Sequence, residues 1–171
     1  ERYIREYPLR IKKEKLEEVS KKLSEYLKCS NECTSLDELR GFEGKAQATY
    51  FQVFDELILN QKDAFYFHGR NKRPPLDRVN SLLSFSYTLL ANDVASALET
   101  VGLDSYVGFM HQDRPGRISL ALDLMEEFRA PIADRFVLAL INRKQVKPND
   151  FEIKENKSVL IKDNVRKLFL S

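Results

Sequence analysis

The stretch PLDRVNSLLSFSYTLLANDVASALETV, Pro75 to Val101, decides the fold class. A proline at its head can open a helix, because the N–H that it lacks belongs to the first turn, where no partner exists anyway. Val79, Leu82, Leu83, Phe85, Tyr87, Leu89, Leu90, Val94, Ala97 and Leu98 then spread around the helical circumference. A helix that is apolar on most sides belongs in a core. Gly102 can stop it by adopting a left-handed conformation. Such a helix needs other elements laid against it, and the flanking sequence supplies mostly helices.

Upstream, Leu9, Leu16, Val19, Leu23, Tyr26 and Leu27 recur at helical spacing. They predict an amphipathic helix from Leu9 to Lys28 with a Lys/Glu outer face. Ser35 with Glu38 resembles a capping box. It would open a second helix, Leu39 to Leu59, lined on one side by Ala46, Tyr50, Phe51, Phe54, Leu57 and Ile58. Lys62 to Pro75 is a break. Downstream, a loop from Gly108 leads to Ser119, which can cap a fourth helix from Leu120 to Gln145. Leu120, Leu124, Phe128, Ile132, Phe136 and Leu140 recur there at every fourth position, and Pro131 predicts a kink or short break. Phe151-Glu152-Ile153 and Val159-Leu160-Ile161 bracket a polar connection and predict a small β-hairpin. Asn164 to Leu170 reads as a further helix start. The expected fold is mainly α, with a small β-hairpin near the C-terminus.

A chain of 171 residues that is 43% hydrophobic fits one domain and excludes intrinsic disorder. Its 28 Lys/Arg against 26 Asp/Glu leave a net charge of +2, which excludes a generally polycationic coat but not a local basic surface. Two cysteines exclude a disulfide framework. Cys29 and Cys33 read as plain thiols, without the further ligands a zinc site needs. No apolar run has membrane-spanning length, and no signal peptide is visible. The expected setting is cytoplasmic. The chain begins at Glu1 rather than Met, so it reads as one domain cut from a longer protein. G-x-x-x-x-G-K-[ST], G-x-G-x-x-G and G-x-S-x-G are absent, so nucleotide hydrolysis, dinucleotide redox and serine hydrolase chemistry lack support.

Three groups of residues can carry chemistry. His111 precedes a helix bearing Asp123, Glu126 and Glu127. Asp123 and Glu126, three residues apart, project from one helix face at the border of its apolar side. Half-desolvated carboxylates of like sign call for a compensating cation, and a hard divalent ion such as Mg²⁺ or Mn²⁺ suits oxygen donors, Mn²⁺ also accepting imidazole. The alternative is a solvated acidic face with an ordinary loop histidine. Glu43 lies between Gly41 and Gly44 within a helical pattern. Glycines there lower helix stability, so they either make room around Glu43 or mark a helix cap. Basic residues form the third group: Arg70, Lys72, Arg73 and Arg78, then Arg114, Arg117 and Arg129, then a C-terminal stretch with eight Lys/Arg against four acids. Basic clusters beside a carboxylate-bound cation suit a phosphodiester substrate.

These groups fall within three long stretches. Leu39-Arg40-Gly41-Phe42-Glu43-Gly44-Lys45-Ala46, continuing to Tyr50-Phe51, resembles the first motif of the CRISPR-associated adaptation endonuclease family, the integrase subunit that captures new spacers. Asn71 to Ser84 is similar to the entry of its central helix. Gly108-Phe109-Met110-His111-Gln112-Asp113-Arg114-Pro115-Gly116-Arg117, followed by Leu120 to Arg129, resembles its third motif, in wording closest to members that accompany type I-C systems. The resemblance implies the α-helical C-terminal catalytic domain, without the family's β-rich N-terminal domain and with a shortened basic tail. It implies Mn²⁺ or Mg²⁺ bound by Glu43, His111 and Glu126, with Asp123 as a neighbouring catalytic acid. It places DNA on Arg73, Arg78, Arg114, Arg117 and Arg129. Its implied partners are spacer and repeat DNA, a second copy in a homodimer of the full-length protein, and a smaller CRISPR adaptation protein; no membrane is implied. The implied reaction is metal-dependent phosphodiester transesterification on DNA. The alternative from another class is a non-catalytic helical DNA-binding or scaffold domain, which explains the basic loops equally well.

Overall fold

The computed structural model describes Arg5 and residues 12–71, 73–112 and 114–170. Leu9 and Lys72 lie outside the described residues. The chain divides into two compact units, Glu1–Arg70 and Asn71–Ser171.

In the first unit, helix α1 (Lys13–Ser30) buries Leu16 and Val19. Leu27 belongs to the exposed side instead, at 66%. It lies one residue, about 100° of rotation, beyond Tyr26, and it is Tyr26 that packs on Phe42 of α2, with ring centroids 6.3 Å apart. Helix α2 (Leu36–Phe51) starts where Ser35 Oγ accepts the Glu38 N–H at 3.2 Å. The Glu38 carboxylate accepts from Thr34 N at 3.1 Å, so the reciprocal bond closes one residue upstream of the expected one. The helix also ends before the predicted Leu59. A tight 3₁₀ turn, Phe54–Leu57, follows. Phe67 N–H donates to the Asp55 carboxylate at 2.8 Å, and the Phe51, Phe54 and Phe67 rings pack with centroids 4.9–5.7 Å apart. The apolar run thus closes on the returning chain instead of continuing as helix.

In the second unit, helix α3 (Arg78–Thr100) opens at Asp77 rather than Pro75, because the Asp77 carboxylate accepts the Asn80 N–H at 2.7 Å. Gly102, at φ +79°, stops it as expected. Gly102 N–H reaches Glu99 O at 3.0 Å and Leu103 N–H reaches Leu98 O at 2.9 Å, satisfying two terminal carbonyls. The first half of α3 is buried nearly all round, through Val79, Asn80, Ser81, Leu82 and Leu83. The second half buries only one stripe, Ala91, Val94 and Leu98, packed with Ala121 and Met125 of helix α4 (Ser119–Phe128).

The predicted fourth helix is three pieces: α4, a π-helical segment Arg129–Asp134, and α5 (Arg135–Asn142). Pro131 has no N–H for an i→i−4 bond, and the wider winding re-satisfies the neighbouring groups. The every-fourth-residue row is not the buried face. Leu124, Phe128, Ile132 and Phe136 are all exposed, and the interior is filled by Ala121, Met125, Ala133, Val137, Leu138 and Ile141 with Leu140. A step of four residues overshoots a full turn by about 40°, so such a row winds off any one face. The hairpin forms as predicted: β1 (Phe151–Ile153) pairs antiparallel with β2 (Val159–Ile161), Phe151 opposite Ile161. Val159 N–H donates to Pro75 O at 2.8 Å, which anchors the hairpin to the entry of α3. Helix α6 (Asp163–Leu170) puts Phe169 edge-on to Phe85 and Phe136. Among the described residues, no helix is long and apolar enough to cross a membrane.

Candidate active site

The loop between α3 and α4 is organised by one carboxylate. Asp123 Oδ2 accepts the N–H groups of Phe109 (2.6 Å) and Met110 (2.9 Å), while Oδ1 accepts the His111 N–H at 2.9 Å and contacts His111 Nδ1 at 2.6 Å. Three consecutive amides thus converge on one side chain that is only 11% exposed. Burial pushes the Asp123 pKa up, but the N–H donors of Met110 and Phe109 and the His111 ring outweigh it and leave it below the ordinary 3.8. A carboxylate can only accept, so Nδ1 of His111 carries the proton. In the neutral form of the ring this tautomer leaves the lone pair on Nε2, the arrangement that makes a histidine a metal ligand or a base.

Gly108 makes this wrap possible. A β-carbon there would lie 2.6 Å from Ser119 Cβ, 2.8 Å from Ser119 C and 3.1 Å from Asp123 Oδ2. Ser119 does not cap α4. It is fully buried in the first turn, and its hydroxyl points back to Gln112 O at 3.4 Å. The cap is Ser105 O, which accepts from Leu120 N (3.0 Å) and Ala121 N (3.3 Å). The sequence reading named Gly108 only as the start of the loop and of the motif, and it missed Ser105. A glycine three residues before the histidine was the one available signal.

One turn along α4, Glu126 contacts the Arg129 guanidinium at 2.8 Å. Glu127 faces solvent. The predicted face shared by Asp123 and Glu126 is real, but the two carboxylates have separate partners. Glu43 lies on α2 of the first unit and is exposed. Gly41 and Gly44 lie inside that helix rather than at a cap, and a β-carbon on either would meet no atom within 4 Å. Among the described residues, no three His, Cys, Asp or Glu side chains gather closely enough to hold a metal ion.

The basic residues occupy three settings. Arg73 is exposed on a loop held by a polar staple that sequence reasoning did not single out. In that staple Asn71 Oδ1 accepts Leu76 N–H at 2.7 Å, and Asn71 N–H donates to Asn80 Oδ1 at 3.1 Å. Asp77 Oδ2 accepts from the amides of Asn71 (3.1 Å) and Asn80 (2.7 Å). A wholly buried Asn80 in an apolar helix was the readable clue. Arg78 donates to Pro148 O at 3.4 Å, so it also holds the turn before the hairpin. Arg114 is exposed and Arg117 half-buried on the loop that leads into α4. His68 is exposed and lies against the ring of Tyr66, with centroids 5.1 Å apart. Cys29 and Cys33 are free thiols.

The family model of the CRISPR associated protein Cas1 matches residues 1–171. The chain belongs to the Cas1 family. It is 50% identical over 170 residues to a CRISPR-associated endonuclease Cas1 of Chlorobaculum tepidum, covering 99% of this chain and 50% of that protein. It is 48% identical over 155 residues to the Cas1 endonuclease of Leptospira interrogans, covering 91% of this chain and 61% of that one. Among solved structures, a Cas1 protein of Thermotoga maritima superposes with a TM-score of 0.79 at 32% identity, over 87% of this chain and 47% of that chain. The chain therefore spans about half the length of the curated Cas1 relatives it matches. Its relatives are named endonucleases, and its helical architecture is that of solved Cas1 chains. A casposase bound to its integration product is also similar, with a TM-score of 0.72 at 29% identity over 81% of this chain and 41% of that one.

Proposed function

We propose that this chain is the catalytic part of a divalent-metal-dependent DNA endonuclease and integrase of CRISPR adaptation, one that inserts spacer DNA into the repeat array. The observation that carries the reading is the Asp123 latch. It holds the His111 ring through Nδ1, beside the helix that also bears Glu126. The donor chemistry of Glu43, His111 and Glu126, two carboxylates and an imidazole, fits Mn²⁺ or Mg²⁺. We propose these three residues as the ligands because they stand at the positions of the family's metal-binding motifs. When bound, such a cation neutralises the scissile phosphate and lowers the barrier to oxygen displacement. In integration, the 3′-oxygen of the spacer bonds to phosphorus at the repeat boundary, the P–O3′ bond of the repeat breaks, and a proton passes from the attacking to the leaving oxygen through solvent. In cleavage, water attacks instead.

The protein residues supply placement. His111 is oriented by Asp123, which is fully engaged by the loop and so acts as a positioning residue rather than a proton acceptor. Arg73, Arg78, Arg114, Arg117 and Arg129 are proposed to hold phosphates of branched or duplex DNA. A homodimer, a smaller adaptation partner, a type I-C setting and a cytoplasmic location complete the reading. The partner is supported by likeness to a chain of a solved Cas6-RT-Cas1–Cas2 complex, with a TM-score of 0.81 at 27% identity over 92% of this chain and 17% of that one.

The test is Mn²⁺ titration calorimetry of wild type against Glu126→Ala, followed by strand transfer with His111→Ala. The expected result is binding that is lost in the first variant and metal-dependent transfer that is lost in the second. Transfer untouched in His111→Ala would overturn the assignment, and absence of any Mn²⁺ effect with or without DNA would favour a scaffold.

A further inference from the structure

Arg129 is not simply an exposed phosphate contact. Its side chain is 14% exposed, and that of its partner Glu126 is 25% exposed. The guanidinium carbon lies 5.7 Å from the centroid of the Tyr87 ring. The Tyr87 hydroxyl donates a hydrogen bond to Asp134 Oδ1, and Asp134 is wholly buried. Four side chains thus run in series, from a buried carboxylate to an aromatic platform, a guanidinium and an outward carboxylate.

The π-helical segment explains how this series is built. Arg129 opens that segment and Asp134 closes it, five residues later. In an α-helix, residues five apart sit about 140° apart around the axis. In i→i+5 winding that angle shrinks to about 50°, so both can address the same tyrosine of α3. A tyrosine held at its hydroxyl offers a ring of fixed orientation. A guanidinium on that ring keeps its donor edge free for a carboxylate. Gripping a phosphate requires neither the buried aspartate nor the anchored ring.

We infer that Tyr87 and Asp134 are positioning residues that seat Arg129 on Glu126 as the resident cation of that carboxylate. A divalent cation and Arg129 then compete for Glu126, and loading the cation releases Arg129 toward the substrate phosphates. This rests on the reading of Glu126 as a metal ligand.

The test is Mn²⁺ titration calorimetry on the wild type, Arg129→Gln, Tyr87→Phe, the double variant and Glu126→Gln, each checked for folding by far-ultraviolet circular dichroism. Arg129→Gln is expected to bind Mn²⁺ about fivefold more tightly, because the competing half-buried ion pair is gone. Tyr87→Phe shifts affinity in the same direction by less, the double variant equals Arg129→Gln, and Glu126→Gln binds no Mn²⁺. Asp134→Asn replaces Tyr87→Phe should the latter fail to fold. Wild-type binding with Arg129→Gln unchanged or weaker, or full additivity in the double variant, overturns this inference alone. Absence of binding by both the wild type and Arg129→Gln overturns it together with the metal reading.

Discussion

Asp123 organises the loop that leads into α4. Its two oxygens accept three backbone N–H groups and face an imidazole nitrogen. Asp123→Asn would turn an amide group against those donors. It is expected to cost about 1–3 kcal/mol in urea unfolding, because three amide donors lose a charged acceptor. The pH dependence has a definite sign. The folded pKa lies below the ordinary 3.8, so this contribution is fully present above that value and is lost as pH falls through the depressed one. Unfolding measured between pH 5 and 8 should show no slope from this group, and a loss should appear below about pH 4. Gly108→Ala is a second residue-scale test. The added carbon meets Ser119 backbone, which cannot swing aside, so a cost of about 1–3 kcal/mol is expected together with loss of strand transfer.

Among the elements, α2 carries the clearest expectation. Gly41 and Gly44 are mid-helix, with open space where a methyl group would go. Alanine at either should stabilise by about 0.5–1 kcal/mol, seen as a raised Tm. If Tm rises while DNA cleavage falls, the bare backbone beside Glu43 serves the substrate rather than the fold. The elements also show what the sequence could convey. The hairpin and the stop at Gly102 were readable because each is set by neighbouring residues: alternation in one case, one left-handed glycine in the other. The end of α2 was not readable, since it is set by Phe67 and Asp55 meeting across twelve residues. The buried face of α4 was misread because an every-fourth row drifts around a helix, and because Pro131 produces a widened turn rather than a simple kink. His111, Asp123 and Glu126 were legible as a group of donors. Their division into a latch and an ion pair depended on Gly108 and Arg129, which only three-dimensional packing reveals.

On the scale of the whole molecule, the net charge of +2 is too small to drive DNA binding by itself, so the proposed DNA binding rests on the local arginines. Binding to duplex DNA should weaken with salt. Arg73→Ala and Arg114→Ala should each lower the slope of log affinity against log salt by about one, with little dependence on sequence. Arg78→Ala should behave differently. It also loses the bond to Pro148 O, so a drop in thermal stability should accompany the drop in affinity.

The wrap of residues 109–111 around Asp123 has a dynamic consequence. Phe109 is 75% exposed, so its ring lies open to solvent while its amide hydrogen is sheltered in a carboxylate. In deuterium-exchange experiments this loop should therefore be protected like a helix, although it belongs to none. Asp123→Asn should restore exchange at Phe109, Met110 and His111 while leaving the amides in the middle of α3 slow.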